Sequence, residues 1–179
     1  DWAASWNPAG KGRIYRVYNP LPVARDAVQQ TKNLLAAGMQ DRTNPELIAL
    51  LAHADRRVRL EAQLELADRG GDDTEQLLLE TARSDSALMA RLHAIWGLGI
   101  LGREEPQRLK AILPLLQDPN AEIRSQCALV LGDAPLSLAS QSIVPLLSDP
   151  EPRVQMYAAI ALGKLGDPKT IESLLQLLR

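Results

Sequence analysis

The side chains able to do chemistry are few and scattered. The sequence holds two histidines, His53 and His93, and one cysteine, Cys127. One cysteine permits neither an intrachain disulfide nor a cysteine-based zinc site. Neither histidine has a ligand-type residue four positions away, the spacing at which one helix offers two ligands to a metal. Residues 97–102, Gly-Leu-Gly-Ile-Leu-Gly, spell the dinucleotide string GxGxxG. That motif works only between a strand and a helix, and here it closes a helical stretch. Gly10-Lys11 lacks the upstream glycine and the following Ser or Thr of a phosphate loop, and no serine sits in a nucleophile elbow. The residues therefore name no catalytic group, no cofactor site and no metal site.

What recurs instead is a pattern. Four segments, 58–67, 90–99, 123–132 and 154–163, align without gaps, their first residues 32, 33 and 31 apart. Counting from those first residues, offsets 0, +4 and +8 are Val58/Ala62/Leu66, Ala90/Ala94/Leu98, Ile123/Cys127/Leu131 and Val154/Ala158/Leu162. That spacing puts them on one helical face, the core face. Offset +9 is always small (Ala67, Gly99, Gly132, Gly163), which admits a neighbouring helix closely. Offset +12 carries Gly70, Gly102, Pro135 and Gly166 as stops.

A second helix precedes each segment. Leu pairs at 50–51, 115–116 and 146–147 lie eight and seven residues before the anchor, with Pro114 and Pro145 one residue earlier. A proline there removes a helical hydrogen bond and predicts a bend. Asp85, Asp118 and Asp149 fall in the turn, and His53 takes that place in the first unit. Asp-Pro at 118–119 and 149–150 reads as an N-cap followed by a first-turn proline. In the second unit the first helix, around 74–82, lacks both the proline and the Leu pair.

Each unit is thus helix A, turn, helix B, repeated about every 32 residues. Here the chain resembles the HEAT repeat family in its short HEAT-like form, over roughly 44–179. The resemblance implies an all-α, right-handed α-α superhelix, a HEAT-repeat solenoid. Composition agrees: 46% hydrophobic residues, no Phe, three Trp and three Tyr suit Leu–Ala helix packing better than a β-sandwich. The repeats fall at about 44–70, 72–102, 105–134 and 136–166, with a half repeat at 167–179.

The ends differ. Residues 21–40 read as an amphipathic capping helix with a stripe of Ala24, Val28, Thr31 and Leu35, ended by Gly38. Residues 1–20 form a short extended segment, with alternation over 12–18 that suggests a strand left from a preceding β-domain. The chain opens on Asp1, so a piece of a longer protein is expected. Trp6-Asn7-Pro8 with Gly10-Lys11-Gly12-Arg13-Ile14-Tyr15-Arg16-Val17 resembles the closing strand of a sugar-dehydrogenase-type β-propeller. Residues 51–63 and 90–99 are similar to the HEAT portion of bacterial membrane-bound dehydrogenases with that propeller. This second resemblance implies a parent dehydrogenase of the quinoprotein type in the periplasm or cell envelope, without making this segment an enzyme.

Two sets of residues carry what function remains. Arg59, Arg91 and Arg124 recur at offset +1 (Gln155 in the fourth unit) and predict a structural ladder to the turn residues Asp85, Asp118 and Asp149. Helix B lines the concave side in the family, so Glu61, His93, Gln126 and Tyr157, all at offset +3, are expected to face that groove. The reading is a non-catalytic scaffold that binds a protein or the neighbouring domains of its own chain. The exposed half repeat is expected to offer a further packing surface. A HEAT-like lyase or cofactor-handling domain is the alternative, and would need a deep polar cleft. Nucleic-acid binding ranks last, because net charge is −2. No stretch reaches the roughly 18 apolar residues of a membrane span.

Overall fold

The computed structural model describes residues 25–83, 87–136 and 138–177. Every regular element among them is helical, and no strand occurs among the described residues. The strand expected at 12–18, the propeller-like residues 6–17, Ala24, Asp85 and Leu178 lie outside them.

Helix α1 (Arg25–Ala37) comes first and ends at Gly38, whose φ of +74° suits glycine. Its inward stripe is the buried Thr31, the half-buried Leu34 and Leu35 and then the buried Met39, whereas Val28 is 53% exposed. The expected stripe is thus corrected: contact with the array starts a turn later, at Thr31.

Four helix pairs follow. The first is α2 (Asn44–Leu50) with α3 (Arg56–Arg69), the second α4 (Gly71–Arg83) with α5 (Leu88–Leu101). In the third, a 3-10 helix (Pro106–Gln117) precedes α6 (Ala121–Gly132). In the fourth, α7 (Ala139–Ile143) runs into a 3-10 helix (Val144–Ser148) before α8 (Pro152–Leu165). A short 3-10 turn (Pro168–Thr170) and α9 (Ile171–Gln176) continue the pattern. The array is an all-α repeat solenoid whose second helices stack α3, α5, α6, α8.

Local chemistry explains the element ends. Thr43 and Glu46 form a capping box at α2, with Glu46 Oε2 accepting from Thr43 N at 2.7 Å. Asp55 caps α3, accepting from Arg57 N. The Asp-Pro pairs, read as N-caps, are corrected. Asn120 caps α6, Glu151 holds the cap position of α8, and Asp118 and Asp149 sit two residues earlier. There each aspartate accepts the backbone N–H of residue i+2, Asn120 or Glu151, at 2.9 Å. Gly166, at φ +62°, closes α8 in the left-handed conformation.

The prolines do more than bend their helices. Pro114 and Pro145 lie in the 3-10 stretches, while the proline-free α4 is a regular 13-residue α-helix. Pro114 cannot donate to the carbonyl three residues back, Ala111. Arg83, from the preceding repeat, donates to that oxygen instead, at 2.7 Å.

All twelve residues at offsets 0, +4 and +8 are buried, and with Leu47, Leu51, Leu115, Leu116, Leu146 and Leu147 they form one continuous core. Burying a side chain such as Leu131 contributes about 1.5–3 kcal/mol.

Candidate functional site

The functional surfaces are built by the second helices, which present four sides. One holds the core. The flanks make the seams between repeats. The fourth side turns away from the first helices.

The Arg positions lie in the seams. Arg124 forks onto Asp149 of the next repeat, Nε to Oδ2 at 2.7 Å and Nη2 to Oδ1 at 2.8 Å, while Nη1 reaches the Asp118 carbonyl of its own turn at 2.8 Å. Those hydrogen bonds hold the Asp149 carboxyl below the ordinary carboxylate range and raise the guanidinium. Arg91 pairs with Asp118 in the same way, and its Nε donates to the Ala82 carbonyl at 2.8 Å. Gln155 donates to the Asp149 carbonyl at 2.6 Å, keeping the bond to its own turn. Each arginine therefore ties its own turn or its partner helix to the turn of the following repeat.

The first seam differs. Arg59 donates to the carbonyls of His53 and Ala54 at 2.7 and 2.9 Å, and its Nε donates to His93 Nε2 at 3.1 Å. Because Nε2 accepts, the ring proton sits on Nδ1, 2.7 Å from Gln63 Oε1. Burial, with the Arg59 charge beside it, pushes the His93 imidazole down to about 4. Within its own turn, His53 does what the turn aspartates do elsewhere: its Nδ1 accepts from Asp55 N at 3.0 Å.

The expectation for offset +3 is corrected. His93 is 4% exposed and Gln126 6%. His93 faces Gln63 of the preceding repeat, and Gln126 accepts from Trp96 Nε1 at 3.0 Å. Tyr157 is half-buried with Arg153 above its ring, and only Glu61 lies open. The reason is angular. With offsets 0, +4 and +8 on the core side, +3 falls on the flank toward the preceding repeat, whereas +2 and +6 fall opposite the core.

Offset +6 marks the free face, joined by +2 only in the first and fourth repeats, because Leu92 and Ser125 at +2 are buried. Leu60, Leu64, Met156 and Ile160 are exposed, between 41% and 49%, and Trp96 and Leu129 are half-buried between them. Offset +6 is apolar in all four repeats: Leu64, Trp96, Leu129 and Ile160. Its recurrence outside the core spacing was the available signal for this face. At the C-terminal ends of α3 and α5 the face deepens into a cleft of about 700 Å³ that includes Leu64, Asp68, Ile100 and Glu104. A second hollow of about 260 Å³, with Trp96, Ile100 and Leu129 in its wall, adjoins it through Ile100. On the last helix Ile171, Leu175 and Leu177 are exposed.

Nothing described converges on a reacting atom. No group of three His, Cys, Asp or Glu side chains able to hold a metal occurs among the described residues. Cys127 is fully buried, its thiol pushed up by burial, and donates to the Ile112 carbonyl at 3.2 Å. Among the described residues no helix is long and apolar enough to cross a membrane.

A family model for HEAT repeats matches residues 109–179. A comparison with curated proteins finds no match. The matched stretch begins within the first helix of the third pair and runs through the fourth, and with the helical array it supports HEAT-like repeats there.

Proposed function

We propose that this array is a non-catalytic protein-interaction module that receives its partner along the free face of the second helices. HEAT repeats generally serve protein interaction or scaffolding. The observation that carries the reading is the apolar file from Leu60 and Leu64, past Trp96 and Leu129, to Met156 and Ile160. Exposed apolar residues scattered singly would need no explanation; this file, exposed in the first and fourth repeats and half-buried in the two between, forms a surface suited to binding. A finer placement, as the piece that spaces the domains of a larger envelope dehydrogenase, stands on the resemblances of residues 6–17, 51–63 and 90–99 alone.

The test is site-specific photo-crosslinking in cells. Crosslinkers replacing Leu64 or Met156 should capture the same protein, or the same neighbouring domain. Crosslinkers at Gln76 or Lys110, exposed in the layer of first helices, should not. Capture that is equal from both layers, or absent from Leu64 and Met156, refutes the assignment.

A further inference from the structure

The cleft between the first two repeats has a marked charge imbalance, with a few apolar side chains in its wall. Five carboxylates line it, from Glu61, Glu65, Asp68, Glu104 and Glu105, against two guanidiniums, from Arg69 and Arg108. Both guanidiniums are committed to the fold. Arg69 pairs with Glu65 at 2.8 Å and also donates to the carbonyls of Met39, Gln40 and Arg42 and to Asn44 Oδ1. Arg108 pairs with Asp72, Glu75 and Glu105, which raises its pKa further. Among the described residues Glu61, Asp68 and Glu104 have no cationic partner. The same cleft is lined by Leu64, 44% exposed, and the half-buried Ile100 and Leu101.

A cleft lined by uncompensated carboxylates and a few apolar side chains selects a partner that brings both complements. We infer that the cleft takes a basic amphipathic segment of a protein, with bulky apolar side chains against Leu64 and Ile100 and Lys or Arg side chains among Glu61, Asp68 and Glu104. The inference rests on the protein-interaction reading of this face and adds the partner's chemistry. The adjoining hollow toward the third repeat is lined by Trp96 and Leu129, with Arg103 and Asp133 as its one cation and one carboxylate, so a helical or extended segment several residues long fits. The carboxylates steer encounter and reject acidic competitors, while the apolar contacts hold the complex.

The experiment measures binding of fluorescent peptides to the full chain by anisotropy. One peptide is an amphipathic Leu/Lys sequence. Its controls replace Lys by Glu, or Leu by Ser. The Leu/Lys peptide should bind at least about tenfold more tightly than either control, and its affinity should fall as salt is raised. The double variant Asp68→Lys, Glu104→Lys should weaken it at least about tenfold, while Glu172→Lys on α9 leaves it unchanged. Circular dichroism confirms that the variants are folded. Equal binding of the Leu/Glu or Leu/Ser peptide, no binding of Leu/Lys, or indifference to the double charge reversal overturns the inference. None of these touches the scaffold reading, which the crosslinking decides separately.

Discussion

The first and third seams use one geometry with two chemistries. Between α6 and α8 the arginine meets a carboxylate, and the helices nearly touch through small residues. Between α3 and α5 the homologous Arg59 meets a neutral imidazole, and the packing is looser. At the third seam a Cβ added to Gly132 would lie 2.5 Å from Ala161 Cα. At the first, a Cβ on Gly97 would meet Gln63 Cγ across the seam at 3.7 Å, an ordinary contact distance, while its nearer contacts, to Leu78, lie within its own repeat. A repeat array therefore need not be uniform to stay in register. The seam keeps its arginine and its bond to the local turn, while the acceptor across it varies.

The sharpest way to break the comparison is to remove the arginine. Arg124→Ala leaves Asp149, 7% exposed, without its counter-ion and should cost about 2–3 kcal/mol in denaturant unfolding. Arg59→Ala removes bonds to neutral acceptors and should cost about 1 kcal/mol. Equal losses would show that the carboxylate adds nothing. Next comes spacing. Gly132→Ala drives a methyl into the α8 backbone and should destabilise by about 1–3 kcal/mol. Gly97→Ala should be neutral or gain up to about 1 kcal/mol from helix propensity, measured by the same unfolding curves.

A separate effect concerns acid. The His93 pKa is near 4 in the fold and 6.5 in the ordinary case, so the unfolded chain binds the extra proton between those values. Stability from the first seam is then complete above pH 6.5 and declines as pH falls toward 4. The Asp149 contribution has the opposite kind of group and a lower window: it is complete above 3.8 and lost only below that. Thermal melts between these limits should shift down by roughly 5 °C, and His93→Gln should flatten that slope. Arg124→Ala should leave it intact.

Much of this was legible in the sequence because it is periodic. Offsets 0, +4 and +8 marked a core that is buried at every one of the twelve positions. The arginine at +1 and the turn aspartates pointed to their pairing before any coordinates. Offset +3 does not face the groove that the family resemblance implies: His93 and Gln126 are buried against their neighbours. The angle from the core stripe places +3 in a seam and +6 on the free face. The cleft lay beyond sequence reading for a different reason. Its carboxylates come from α3 and from the segment after α5, and their excess shows only once Arg69 and Arg108 are seen to be occupied elsewhere. The 3-10 form of the proline helices was half visible: the lost hydrogen bond was predictable, the Arg83 side chain that compensates it was not.

Cys127 is the sequence's one thiol, sealed at the centre of the third pair and bonded to the Ile112 carbonyl. Buried and protonated, it cannot react with a thiol reagent until α6 parts from the helix beneath it. The protein thus carries its own stopwatch. The rate at which the thiol is modified, compared across the seam variants, times the opening of one repeat and needs no engineered label.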